Sequence, residues 1–376
     1  MPGPLAGVRV LDLTRLYPGP YATLLLSDLG ADVVKVEDPQ QGDYLRDLPG
    51  MAGQFAALNR GKRSICLDLR APGGPGLLER LCADSDVLVD GFRPGVLERL
   101  GCAPEQLVAR IPRLVVCSIS GYGQTGPLRE RAGHDIGYVA AAGVLARSGL
   151  GEVPVLPGVQ LADFFGGAMQ AVVAILAALL ERERTGRGRA LDVAMCEGAM
   201  QLLLPVLGML AVGADPQRRG DDVLSGSRPC YRVYASGDGG AVVLGALEPK
   251  FWQRFCAAVG RPEWEARQLD ADLSPEVDAL FRTRTRAEWL ALLGPADCCL
   301  EAVLEPSELR EHAQHAARSL WLPNSGLPRT LPALVPSEDL PRRPAPALGE
   351  HTAEVLAERG VSDSELASLR RGCVVR

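Results

Sequence analysis

VRVLDL (Val8–Leu13), PYATLLLSDLG (Pro20–Gly30) and ADVVKVE (Ala31–Glu37) follow one another and decide the fold. The first and last read as buried strands. The middle piece reads as a helix that Gly30 stops. Further strand candidates lie at Ser64–Leu69, Asp86–Val89 and Leu114–Ser118, with helical runs at Gly76–Ala83 and Gly95–Leu100 between them. Strands alternating with helices predict an α/β domain with a parallel, Rossmann-like sheet covered on both faces. A dinucleotide site is not predicted. The first turn is Tyr17-Pro18-Gly19-Pro20, without Gly-x-Gly-x-x-Gly, although Glu37 stands where a ribose-binding acid would.

Beyond this sheet, Phe164–Glu183 reads as a long helix, Ala190–Met195 as a strand and Cys196–Leu210 as another buried helix. A polar hinge follows at Gly213–Asp222. Tyr231–Ala235 and Ala241–Ala246 then suggest a hairpin in a smaller α+β domain. Pro323, Pro328, Pro332, Pro336, Pro341, Pro344 and Pro346 exclude a continuous helix and space out a returning segment. Helices at Thr352–Arg359 and Ser362–Arg371 close the chain. The expected division is 1–212 for the large domain, 223–322 for the small one and 323–376 for a return that packs on the large domain.

A chain of 376 residues exceeds one typical core. Its net charge of −6 gives no support for nucleic-acid binding, so an anionic ligand needs a local cationic cluster. Ten cysteines show no Cys-x-x-Cys pair and no Cys/His ligand spacing, which predicts no metal site. With no signal-peptide pattern, reduced thiols and a cytoplasmic location are expected. The strongly apolar run Ala168–Leu180 is too short to span a bilayer. Met169, Met195, Met200 and Met209 have the spacing of core residues more than that of an acyl channel.

Candidate chemistry gathers between Gly133 and Asp163. His134 follows a Gly-rich loop, Ser120–Pro127, and precedes a helix start; imidazole titrates in the range useful to a general acid–base. Asp135 reads as the cap of that helix and Asp163 as the cap of the helix from Phe164. Gly166-Gly167 point to a close approach by a backbone or a ligand. Glu248 precedes Pro249, a residue suited to a first helical position. Arg60, Lys62 and Arg63 cluster before one strand and Arg93 follows another, a pattern that predicts phosphate contacts.

Leu58-Asn59-Arg60-Gly61-Lys62-Arg63-Ser64, Gly91-Phe92-Arg93-Pro94-Gly95-Val96, Gly121–Pro127 and Glu183–Gly188 resemble the family III CoA-transferases (the CaiB/BaiF superfamily). Gly133-His134-Asp135 and Gly245-Ala246-Leu247-Glu248-Pro249 are most similar to its α-methylacyl-CoA racemase branch. The resemblance implies an interlocked homodimer with a large and a small domain per chain, acting on acyl-CoA thioesters in fatty acid metabolism. No cofactor is implied, coenzyme A being part of the substrate. His134 and Asp163 would be the two bases of a 1,1-proton transfer. The Asp135 amide would donate to the enolate oxygen, and Glu248 of a second copy would hold the His134 ring. Lys62 and Arg93, with Arg60, Arg63 and Lys35, would hold coenzyme A. In the transferase branch Asp163 would instead carry the acyl group and then CoA. Two departures stand out: Gly137 replaces an Asn of the racemase pattern, and Val159 replaces another, with Gln160 beside it.

Overall fold

The computed structural model describes residues 3–216, 218–334 and 343–376, so Pro336 and Pro341 of the returning segment lie outside the described residues. The chain forms two compact units: Met1–Ala142, Val159–Leu204 and Leu320–Arg376 make the first, and Gly143–Gly158 with Pro205–Ser319 the second. The second unit thus starts earlier than residue 223 and takes in a distant segment. Arg219 supplies the physical reason, since its guanidinium donates to the carbonyls of Ala146, Gly151 and Glu152.

The first unit is built on a six-stranded parallel sheet of β1 (Arg9–Leu13), β2 (Asp32–Glu37), β3 (Arg63–Cys66), β4 (Val87–Asp90), β5 (Val115–Ser120) and β6 (Ala190–Ala194). Their order is β3-β2-β1-β4-β5-β6. This is the doubly wound arrangement, whose direction of winding reverses between β1 and β4. Every residue of β3, β4 and β5 is buried, as cover on both faces requires. The apolar core runs from Leu11, Val34 and Leu88 through Leu78 and Leu81 of the helix Gly74–Ala83 to Val355 and Leu356 near the C-terminus.

Helix α1 (Pro18–Asp28) starts with Pro18 and Pro20 in its first turn, where missing N–H groups cost nothing. Helix α2 (Asp135–Ala141) follows the Gly-rich loop, and α3 (Gln170–Thr185) continues a π-helical stretch, Ala162–Met169. Together Ala162–Thr185 form the one helix among the described residues long and apolar enough to cross a membrane by length and composition. That extends the apolar run beyond Ala168–Leu180. Its Gly166, Gly167, Ala171 and Ile175 are buried, and it packs on α1, on β5 and on α4 (Met195–Met200). Gly166 faces α4 directly: a Cβ there would lie 2.2 Å from the Met195 carbonyl, and one on Gly198 only 2.1 Å from the Gly166 carbonyl. Gly166 therefore answers to a backbone, and Gly167 to the side chains of Met195, Pro18 and Ile119, 2.8, 3.2 and 3.4 Å from where its Cβ would sit.

The expected helix Cys196–Leu210 is broken. After α4 and a 3₁₀ turn, Leu204–Ala211 forms a separate helix in which no residue is buried. Met195 is core, whereas Met200 and Met209 are exposed, so the methionines do not share one environment. The returning segment ties into the first unit through Gly61 N–H to the Arg343 carbonyl, at 2.9 Å, and Arg46 to the Pro346 carbonyl, at 3.0 Å.

The second unit holds a three-stranded antiparallel sheet in the order β7-β8-β9, comprising β7 (Tyr231–Ala235), β8 (Ala241–Gly245) and β9 (Leu300–Ala302). Trp252, Phe255, Phe281 and Trp289 fill its core. The two tryptophans send their indole N–H groups to the carbonyls of Trp264 and Phe281.

Candidate active site

The loop after β5 is fixed by its own polar groups. Ser120 Oγ accepts from the Gly123 N–H at 3.0 Å and Asp192 from the Gln124 N–H at 2.9 Å. Gly123 and Gly126 have φ of 88° and 82°, values that favour glycine. The loop then delivers His134 as the N-cap of α2, in extended backbone. The His134 carbonyl accepts from the N–H groups of Gly137 and Tyr138, while its exposed ring has no hydrogen-bond partner among the described residues. Asp135 is therefore not the cap. It is the first helical residue, and its N–H and that of Ile136 belong to the first turn, which has no intrahelical acceptors to offer them.

The Asp135 carboxylate is engaged elsewhere. Its Oδ1 accepts the backbone N–H of Asp163 at 2.9 Å, which brings the two helix starts together. Asp163 likewise is not a cap; Leu161 is, and Asp163 is the second residue of the π-helical stretch. Burial, and then the neighbouring Asp135 charge, push its carboxyl up to about 7. A carboxyl poised there exchanges protons in both directions at neutral pH.

Tyr138 completes the junction and was not legible from motif reading. Its ring occupies the space left by two missing side chains: a Cβ on Gly121 would fall 2.4 Å from Cε1, and one on Gly133 2.6 Å. It meets Tyr122 edge-on at 5.2 Å. Burial first, and then the Asp163 charge, push the phenol up to about 12 while Arg93 acts in the opposite sense. The glycines flanking His134 and opening the loop were the available signal. At Gly137 a Cβ would meet the Tyr122 hydroxyl at 3.6 Å, an ordinary contact.

The cationic cluster is resolved differently. Lys62 is fully buried, and its Nζ donates to Asp12 at 3.1 Å, Thr23 Oγ1 at 2.8 Å, Asn59 Oδ1 at 2.9 Å and the Pro20 carbonyl at 3.0 Å. Lys35, also fully buried, pairs with Asp43 at 3.0 Å and donates to the Thr14 carbonyl. Arg60 grips Asp28 through two bonds of 2.6 Å, and Arg63 bridges Asp32, Glu354 and Glu358. Among the described residues, these four cations are each paired with carboxylates of this same chain. Burial pulls Lys62 down to about 8 against the attraction of Asp12. For Asp12, burial is outweighed by Lys35 and Lys62, which hold it well below the usual carboxylate range. Arg93 alone remains exposed, without an ion pair among the described residues.

A structural role for Lys62 has a measurable consequence. Lys62→Ala is expected to cost about 3–5 kcal/mol in urea unfolding, because it strips a partner from a buried carboxylate. KM for an acyl-CoA should stay near wild type in the folded fraction. A raised KM with unchanged stability would return Lys62 to the ligand.

A cavity of about 250 Å³ opens at the carboxyl ends of β1, β2, β3 and β4, beside the winding reversal where doubly wound sheets bind ligands. Arg15, Tyr44, Asp38, Arg70 and Phe92 line it. The Arg15 guanidinium lies 5.1 Å from the Tyr44 ring centre and 6.0 Å from that of Phe92, and bonds the Tyr44 hydroxyl at 2.9 Å. Arg15 follows the first strand at its carboxyl end, which is the sequence signal that could have found it.

Glu248, in the second unit, is exposed and caps the helix Pro249–Ala258 by position, with Pro249 first in the helix. Its side chain makes no capping bond.

The doubly wound sheet carries a cavity at its reversal and a His/Asp junction beside a Gly-rich loop, and the sequence places the protein: the chain belongs to CoA-transferase family III, whose model matches residues 5–352. It is 36% identical over 381 residues to the alpha-methylacyl-CoA racemase of Homo sapiens, covering 99% of this chain and 97% of that protein. It is 31% identical over 418 residues to a formyl-CoA:oxalate CoA-transferase of Escherichia coli O6:H1, covering 99% of each. The crystal structure of a CAIB/BAIF family protein from Brucella suis matches 96% of this chain and 100% of that one, with a TM-score of 0.82 and 30% identity.

Proposed function

We propose that the protein epimerises 2-methylacyl-CoA thioesters by a two-base proton transfer through an enolate. The observation that carries this reading is the Asp135–Asp163 bond, which joins a helix start bearing an imidazole to one bearing a carboxyl raised to about 7. In one direction His134 removes the α-proton and protonated Asp163 delivers another to the opposite face. In the other direction the roles exchange. Both forms of Asp163 must be populated for this, and a value near neutrality provides them. The Asp135 N–H, in a first helical turn, stabilises the enolate oxygen by about 3 kcal/mol. Similarity to racemases over nearly the whole chain supports the same reading.

Arg93 and the cavity at the sheet reversal are assigned to coenzyme A. The working enzyme is assigned as a homodimer in which Glu248 of a second copy orients the His134 ring and raises its basicity. No metal or organic cofactor takes part. A second reading is favoured by the similarity to formyl-CoA:oxalate CoA-transferase. There, Asp163 attacks the thioester carbonyl and CoA leaves as the thiolate; the thiolate then attacks the aspartyl carbonyl of the mixed anhydride, releasing the first acid as its carboxylate and leaving an aspartyl-CoA thioester. Incubation of one 2-methylacyl-CoA epimer in D₂O separates the two. Loss of optical purity with α-deuterium uptake is expected. Retained configuration, with CoA passing to an added free acid, would establish the transferase instead.

A further inference from the structure

The helix start that bears Asp163 is pinned from three sides. From α2, the Asp135 carboxylate accepts the Asp163 N–H at 2.9 Å. From α4, the backbone of Met195 lies so close to Gly166 that a Cβ there would come within 2.2 Å of its carbonyl. From α1, two rings close on Phe164. Tyr21 meets it edge-on with ring centres 4.9 Å apart, and Tyr17, which caps α1 by position, lies 5.9 Å away. The Tyr17 hydroxyl in turn donates to Gln54 of the helix Ala52–Asn59. All three rings pack against a small apolar core of Leu45, Phe55 and Leu58.

The backbone between these contacts is unusual. Ala162–Met169 is π-helical, a rare turn found mostly at functional sites. Asp163, Phe164 and Gly166 each meet a different element. Adjacent residues on a helix do not face each other, so the Phe164 ring acts on Asp163 through the backbone it anchors.

We propose that Phe164 is a positioning residue for Asp163: its ring, seated on Tyr17 and Tyr21, fixes the start of the π-helical stretch so that the Asp163 carboxyl stays beside Asp135 and away from water. The inference rests on the reading above in which Asp163 takes part in the reaction. Removing the ring frees the α1 side of the clamp. Both influences on the carboxyl then weaken, burial first and the Asp135 charge second. The elements packed against the stretch carry Tyr21, Asp135, Tyr138, Asp192, Cys196 and Glu197, and of these Asp135 is the one whose charge raises Asp163. The loosened carboxyl titrates closer to the ordinary range and no longer stands where the α-carbon needs it.

Two measurements test this. The first needs no substrate. Urea unfolding across pH gives the stabilising effect of Asp163→Asn, which is expected to level off near pH 7 when Phe164 is present. In the Phe164→Ala background it should level off about one unit lower, a tenfold change in the proton affinity of the folded state. The second is steady-state epimerisation. Phe164→Ala is expected to lower kcat about 10–100-fold with KM within about threefold, because a small displacement of a reacting group costs that much. Tyr21→Ala should do the same, and the double variant should be no slower than either single one. Simple loss of folded protein would move neither the levelling pH nor kcat per folded molecule. The proposal is overturned if that pH stays near 7 or if kcat stays within about twofold of wild type. Where Phe164→Ala does not fold, Phe164→Leu takes its place under the same two criteria. No turnover of any acyl-CoA by wild type would overturn the acyl-CoA reading instead, and the stability series alone would then decide whether Phe164 holds the carboxyl.

Discussion

His134→Ala is expected to lower kcat for epimerisation by about 10²–10⁴-fold, the usual contribution of a positioned general base. The fold should be untouched. His134 serves α2 through its carbonyl, which alanine retains, and its exposed ring bonds nothing among the described residues. CoA affinity should therefore stay within a few-fold, and circular dichroism should not change. The two-base scheme makes a sharper demand than loss of rate. With one base gone, the remaining carboxyl can still remove and return a proton on its own face. His134→Ala should thus incorporate solvent deuterium into one epimer with retained configuration, and leave the other epimer unlabelled. Measuring chirality and label together checks both points. Near-normal epimerisation in the variant, or labelling of both epimers at equal rates, would remove His134 from the chemistry.

The strand–helix–strand at residues 8–37 was legible because its signals are local: a run of β-branched and aliphatic residues, a glycine stop, and prolines at a helix start. The remaining strands of the parallel sheet followed for the same reason. What the sequence does not carry is the partner of a charge. Lys62 beside Arg60 and Arg63 looks the same whether it meets a phosphate or a carboxylate fifty residues away; it meets Asp12. The depth of β2 gives the same lesson, since Lys35 and Glu37 interrupt its apolar pattern yet are buried through ion pairs.

The site was legible by residue type and less so by role. His134, Asp135 and Asp163 stand close in the fold, but both aspartates were read as caps when one is the acceptor that joins the two helix starts and the other a helical residue. Side chain to distant backbone bonds leave no periodicity to read. Tyr138 was hidden for a related reason: its pocket is made by the absence of side chains at Gly121 and Gly133. The break in the expected helix Cys196–Leu210 reflects a run whose apolar residues are exposed, including Leu204 at 61% and Leu210 at 51%. Hydrophobicity alone cannot distinguish such a surface from a core.

Asp163→Asn is expected to abolish turnover and to raise stability at alkaline pH in the same protein. Loss of activity, again about 10²–10⁴-fold, follows because an amide neither accepts nor delivers the α-proton. The stability change follows from the sign of the shift. In the unfolded chain this carboxyl titrates near 3.8, and in the fold near 7. Below about pH 3 it is protonated in both states, and its burial carries no charge penalty. Between the two values the folded protein holds a proton that the unfolded chain has released, so stability falls as pH rises. Above about pH 7 the fold must keep an ionised Asp163 beside Asp135, and the penalty is complete. Asparagine never ionises, and the backbone N–H that Asp135 accepts is retained. The variant should gain on wild type as pH rises from 4 to 8.5, by roughly 1–3 kcal/mol in all, measured by urea unfolding at each pH. Equal stability at pH 8.5 would show that Asp163 is not held as a neutral acid in the fold. Treating the turning-over wild-type enzyme with hydroxylamine adds the chemical control. A hydroxamate at Asp163 would establish an acyl or CoA ester on that carboxyl, and the proton-transfer reading would give way to group transfer.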